Sequence, residues 1–220
     1  MTQLRKIFLL PLKNCLDLKK FDTLLQFVSK EKADRIKKHY NNTDKKLSLY
    51  AQLAVKLIVN KEYGIDINRI TIIADDFGKP YISEYPDIYF NISHTHNIIA
   101  IGFSYNPVGI DIEKKNNKSM DIAKRFFTKN EYEYIRCNKK NQNDAFLEIW
   151  TKKESYIKCS GIGLRMPLKD FCVMDKQLKD KFITLKKDEY VVSFYDGIYN
   201  KELPLIELTE EELENLYLNY

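Results

Sequence analysis

Apolar positions along this chain fall into short unbroken runs and helical stripes, and their order divides it in two. IFLLPL (7–12) is an apolar run of strand length and predicts a buried strand. From Leu18 to Tyr63 the apolar residues recur mostly at helical spacing. Within that stretch Ser29 caps a basic segment, SKEKADRIKKHY, and KLSLYAQLAVKLIVNKEY predicts a helix stopped by Gly64. Three β-type runs follow, RITIIA (69–74), IYFNIS (88–93) and IIAIGFS (98–104), punctuated by Gly78, Pro80 and Pro86.

The order then repeats. VGIDIEK (108–114) reads as a strand, helical signal runs from Asp121 to Lys158, and FCVM (171–174), KFITLKK (181–187) and YVVSFYD (190–196) read as strands. Each half thus runs strand, helices, three strands. This predicts an α+β chain of two α/β subdomains, 1–105 and 106–220, meeting near Tyr105–Pro107 with a ligand cleft between them. One continuous α+β domain is the competing reading. The acidic tail LTEEELENLYLNY predicts a short helix with Thr209 as cap and Glu212 at the capping-box position.

Composition sets limits on this picture. The 220 residues are 44% hydrophobic and 30% charged, which fits a folded globular chain and excludes a disordered one. Lys and Arg exceed Asp and Glu by 36 to 31, an excess that permits a phosphate-rich ligand or an acidic partner. No helix-turn-helix, RNP or finger signature accompanies it, so nucleic acid is not an expected partner. Cys15, Cys137, Cys159 and Cys172 form no C-x-x-C pair, which argues against a zinc site or disulfide framework and for a reducing cytosol. The first apolar run is too short for a signal-peptide core and no stretch reaches the length of a membrane span. The expected location is therefore cytoplasmic, without a membrane partner. Abundant Tyr, Asn, Lys and Ile with few Gly suits an A/T-rich bacterial genome.

Chemistry enters at VGIDIEK. On a strand Val108, Ile110 and Ile112 share one face, while Gly109, Asp111 and Glu113 share the other. An isolated pair of this kind is usually the wet face of a half-buried strand. Yet Asp is a poor strand former, and two same-face carboxylates about 7 Å apart repel each other. A cation would offset that repulsion, and Gly109 leaves room for something to approach the backbone. Such a pair suits Mg²⁺, which keeps waters and takes substrate phosphates as ligands.

A third carboxylate and phosphate-binding cations appear in EIWTKKESYIKCSG (148–161). Trp150, Glu154 and Lys158 lie at i, i+4 steps, with Lys153 beside Glu154; a surface Glu154–Lys158 pair with Trp150 in the core is the plain alternative. FGKP presents Lys79 in a tight turn, and NISHTH puts Ser93 and His94 at a strand end. The basic helix offers Lys32 and Arg35, also readable as a solvated face. In FTKNEY, Thr128 and Glu131 are spaced as a capping box, and Phe127 and Tyr132 as a hydrophobic staple.

Taken in order, the basic helix, FGKP, NISH, GIDIE, FFTKNE and WTKKESYIK make this sequence resemble the Sfp-type 4′-phosphopantetheinyl transferases over roughly residues 5 to 175. The resemblance implies a pseudo-duplicated fold with coenzyme A between the halves. It implies Mg²⁺-dependent transfer of the phosphopantetheine arm of coenzyme A to a serine of an apo acyl or peptidyl carrier protein, releasing adenosine 3′,5′-bisphosphate. By the same resemblance Asp111, Glu113 and Glu154 hold the metal, and Lys153 and Lys158 lie near the diphosphate, Lys158 neutralising the phosphate in transfer. Ser93 and His94 meet the nucleotide end, Lys79 the adenine and ribose, and Lys32, Arg35, Ser48 and His94 the 3′-phosphate. Glu154 is the first candidate for general base. Glu131 is the weaker one, with its capping role weighed evenly against chemistry. Carriers of peptide, polyketide or fatty-acid synthesis are the expected partners, and the size suits a monomer. The rival readings are a Mg²⁺-dependent nucleotide-diphosphate hydrolase and a non-enzymatic basic binding module.

Overall fold

The computed structural model describes residues 4–116, 120–161, 163–187, 189–199 and 202–220. The chain divides into two compact units, one of Met1–Tyr105 with Pro204–Tyr220, the other of Asn106–Leu203.

The first unit begins with β1 (Lys6–Pro11), α1 (Leu18–Leu24), α2 (Lys30–Lys37) and α3 (Asn42–Tyr63), then β2 (Ile72–Ala74), β3 (Pro80–Ile82), β4 (Tyr89–Thr95) and β5 (Ile98–Ser104). Local chemistry sets the helix ends. The Ser29 hydroxyl accepts from Lys32 N to start α2, the Asn41 side chain accepts from Asp44 N to start α3, and Gly64 at φ 67° ends it. RITIIA is only half strand, because Ile67–Arg69 form a 3₁₀ turn capped by Asp66. What remains pairs with β3, a strand too short to announce itself in the sequence. Leu49, Leu53, Leu57 and Ile58 of α3 are buried with Phe8, Ile99, Ile101 and Phe103 in this unit's core.

The second unit holds β6 (Gly109–Lys114), α4 (Met120–Phe126), α5 (Lys129–Cys137), α6 (Gln142–Ser160), β7 (Phe182–Lys186) and β8 (Tyr190–Tyr195). Its antiparallel sheet has the order β6-β8-β7, with Asp111 opposite Ser193 and Ser193 opposite Thr184. α6 lies against this sheet, and a buried hydroxyl chain from Thr151 through Ser193 to Thr184 joins helix to strands at 2.7 and 2.9 Å. FCVM (171–174) is not a strand. Side chains take its backbone groups instead: Lys153 Nζ donates to Phe171 O, and Val173 N donates to Glu131. Among its described residues the unit therefore runs strand, three α-helices, two strands, with short 3₁₀ turns between the last helix and those strands.

The chain ends with β9 (Leu205–Glu207) and α7 (Glu210–Leu218). The sequence pattern predicts a second subdomain that runs to Tyr220, whereas Pro204–Tyr220 packs into the first unit. β9 pairs in parallel with β1, completing the sheet order β4-β5-β1-β9. Tyr217 is buried and donates to Leu53 O at 2.7 Å. Buried Lys46 donates to Lys13 O, Cys15 O and Glu210 at 2.6–2.9 Å. Thr209 and Glu212 form the expected capping box.

Candidate active site

Gly109 determines how close α6 comes to β6. A Cβ on Gly109 would lie 1.9 Å from Ser155 O and 2.5 Å from Cys159 N. The space beside this glycine is thus taken by the chain's own helix, not kept open for a ligand as the sequence suggested. The close crossing sets the residues of α6 beside those of β6.

The consequence is a carboxylate pocket. Asp111, Glu113, Glu154, Trp150, Phe126 and Leu168 line a cavity of 330 Å³. Asp111 is buried, and its Oδ1 accepts from Lys158 Nζ at 2.6 Å. Glu113 Oε1 accepts from Trp150 Nε1 at 3.2 Å, and Trp150 stacks on Phe146 with ring centroids 6.0 Å apart. Lys158 pairs with Asp111 across the elements, where the plain reading of the sequence pairs it with Glu154. Burial pushes the Glu154 carboxyl above its ordinary range; Asp111 pushes it further, Lys158 opposes, and Glu113 adds to the rise.

Three carboxylates facing one pocket are hard oxygen donors of the kind Mg²⁺ takes, and the mutual repulsion visible at Glu154 is what a cation would relieve. With the side chains directed to Lys158 and Trp150, no three His, Cys, Asp or Glu among the described residues stand in ligating positions. The donor set fits the metal; the side chains would turn to meet it.

Glu131 and Lys153 are not in this pocket. Both are fully buried and paired at 2.9 Å. Glu131 Oε2 accepts from Thr128 N and Oγ1, and Oε1 from Val173 N, so the capping box is formed and the carboxylate is spent on structure. Lys153 Nζ also donates to Leu168 O and Phe171 O and lies 4.2 Å from the Phe171 ring centroid. Both are sealed in the core of the second unit.

The first unit contains a larger cavity of 620 Å³, within the about 300–1,000 Å³ of small-molecule sites. Lys32 and Arg35 of α2, Ser48 of α3 and His94 of β4 line it together, with Gly78 from the turn before β3 and Pro80 at the start of β3. Burial, and then Arg35, lower the Lys32 pKa. Arg35 also pairs with Glu31 at 2.7 Å. Two expected members are not among the lining residues. Ser93 alternates to the opposite side of β4 from His94 and is buried, and Lys79 lies in the turn with its backbone N donating to Asp75 at 2.8 Å. Gln52, one turn after Ser48, lines the cavity and carries no motif that would mark it in the sequence.

Comparison with known proteins places this architecture. Residues 107–205 match the model of the 4′-phosphopantetheinyl transferase superfamily, and residues 17–104 match that of the 4′-phosphopantetheinyl transferase N-terminal region. The chain belongs to this superfamily and is a transferase. It is 39% identical to 4′-phosphopantetheinyl transferase ffp of Bacillus subtilis, over 69% of this chain and 68% of that protein. It is 37% identical to 4′-phosphopantetheinyl transferase Sfp of Bacillus subtilis strain 168, over the same shares. With 4′-phosphopantetheinyl transferase gsp of Aneurinibacillus migulanus it shares 32% identity, over 94% of this chain and 92% of the relative.

Proposed function

We propose that this transferase moves the 4′-phosphopantetheine arm of coenzyme A onto a serine hydroxyl of an apo acyl or peptidyl carrier protein, with Mg²⁺, releasing adenosine 3′,5′-bisphosphate. The observation that carries the reading is the pocket in which Asp111, Glu113 and Glu154 gather with Lys158 beside them. Asp111, Glu113 and Glu154 would hold the metal, which when bound supplies positive charge to the diphosphate.

The chain's own groups do the rest. The carrier serine Oγ forms a bond to the β-phosphorus as the bond to the bridging oxygen breaks, and the electron pair leaves on the nucleotide. Glu154, which faces the same pocket, is the candidate base for the serine proton, directly or through water. Lys158 Nζ neutralises charge on the phosphate in transfer. The cations of the first unit's cavity, Lys32 and Arg35, with His94 and Ser48, are read as the subsite for the 3′-phosphate of the nucleotide. Net charge of +5 favours encounter with an acidic carrier surface. No described helix is long and apolar enough to cross a membrane. We place the enzyme in the cytoplasm as a monomer.

The test is direct. The protein is mixed with coenzyme A, Mg²⁺ and a panel of apo carrier proteins, and the added arm is sought by mass spectrometry. Modification that disappears in both Asp111→Ala and Glu113→Ala while the fold persists supports the reading. Nucleotide release without any carrier modification would support a diphosphate hydrolase instead.

A further inference from the structure

The two carboxylates of β6 have unlike partners. Asp111 Oδ1 accepts from the Lys158 ammonium at 2.6 Å, whereas Glu113 Oε1 accepts from the neutral indole N–H of Trp150 at 3.2 Å. Trp150 is the chain's single tryptophan, and the proposed chemistry gives it no part. Its ring is itself held in place. It stacks on buried Phe146, one turn earlier on α6, with the ring planes 13° apart, and its centroid lies 6.3 Å from that of Phe127.

The difference in partner matters to a cation. A lysine competes with a metal ion for a carboxylate, because both bring positive charge to the same oxygens. An indole N–H only donates and carries no net charge, so it does not repel the ion. A carboxylate has lone pairs for several partners, so the indole bond need not break when a cation binds. Glutamate also has a long side chain, whose ordering costs free energy unless another group has already restricted it. A stacked ring that donates to it does this before any metal arrives, as donors behind metal ligands commonly do. We propose that Trp150 is a positioning residue that orients Glu113 for a cation in the pocket Glu113 shares with Asp111 and Glu154, a role that rests on the reading of this pocket as a Mg²⁺ site. Phe146 and Phe127 set the ring, the ring sets the N–H, and the N–H sets the carboxylate.

Mn²⁺ is the probe, since oxygen ligands suit it as they suit Mg²⁺ and its free ion gives a paramagnetic resonance signal that binding removes. The full chain is titrated with Mn²⁺ in the presence of coenzyme A. Trp150→Phe keeps a ring against Phe146 and removes the donor, and is expected to weaken Mn²⁺ on the order of tenfold. A second protein keeps the test open should that variant not fold. Expression in a tryptophan auxotroph supplied with the benzothiophene analogue replaces the N–H by sulfur at this one position, with the ring's shape retained. The same loss of Mn²⁺ affinity is expected there. Coenzyme A affinity measured without metal is expected to match the parent's in both proteins. Mn²⁺ affinities equal to the parent's would overturn the inference. So would a loss of coenzyme A affinity without metal, because Trp150 would then be holding the fold and not the carboxylate. A parent that takes up no Mn²⁺ would overturn the metal reading itself, and titration of the unaltered chain tells that failure apart.

Discussion

Glu131 Oε2 and Lys153 Nζ lie 2.9 Å apart with neither side chain exposed, tying the start of α5 to the middle of α6. Removing one member leaves the other charged and buried. Lys153→Ala and Glu131→Ala are each expected to destabilise the protein by about 3–5 kcal/mol. Urea unfolding measures this, with a lowered midpoint. The double change Glu131→Ala with Lys153→Ala is expected to cost less than the sum of the two single changes, because no unpaired charge remains. A Lys153→Ala protein as stable as the parent would show that the pair is not structural.

Gly109 makes a sharper geometric prediction. The Cβ of Gly109→Ala would meet backbone of α6 at 1.9 Å, so the helix or the strand must shift. The expected cost is about 3 kcal/mol or more, since backbone yields less than a side chain end does. A thermal melt checks stability, and residual activity at low temperature checks the displacement of Lys158 from Asp111. A variant with the parent's melting temperature would contradict the close crossing.

Lys158 is half-buried and touches Asp111 at 2.6 Å. Lys158→Met keeps the apolar stem and removes the cation. On the proposed chemistry it is expected to lower kcat on the order of 10²-fold while the fold survives, as losing one preorganised charge at a transferring phosphate does. Steady-state kinetics with an apo carrier protein decides; an unchanged kcat would remove Lys158 from the reaction.

Lys32 gives a pH dependence. Burial and then Arg35 hold its pKa below the ordinary lysine value of 10.5. The charged form is therefore disfavoured in the folded protein, and that penalty on stability is relieved as pH rises through the lowered value. Binding runs the other way, because an anion needs the charged form. Affinity for coenzyme A is expected to fall with rising pH earlier than an ordinary lysine would cause, and Lys32→Gln is expected to flatten that limb. Titrations from neutral pH upward test it, and superimposable profiles would sink the assignment.

What the sequence made legible was local. GIDIEK as a strand, the capping boxes of Thr128 with Glu131 and Thr209 with Glu212, and the stop at Gly64 each depend on neighbours a few residues away. The family, too, was readable from motif order, and the comparisons show it. What escaped depends on distant partners. Glu131 is consumed by Val173, 42 residues on, and FCVM loses its strand because Lys153 takes the Phe171 carbonyl. Ser93 and His94 look equivalent in NISH, yet strand alternation sends only one of them to the cavity. Gln52 is one more polar residue on a long helix until the fold shows how deeply it is buried.

The return of Pro204–Tyr220 to the first unit bears on how the chain reaches its fold. Along the polypeptide the second unit is an insertion within the first, since the whole of it lies between β1 and its partner β9. Parallel pairing across so long a loop is a late and entropically costly event. The unit that the chain enters before the second is thus the one completed after it. During synthesis the apolar edge of β1 and the α3 surface that later receives Tyr217 stay uncovered, making this stretch the one for a chaperone to guard.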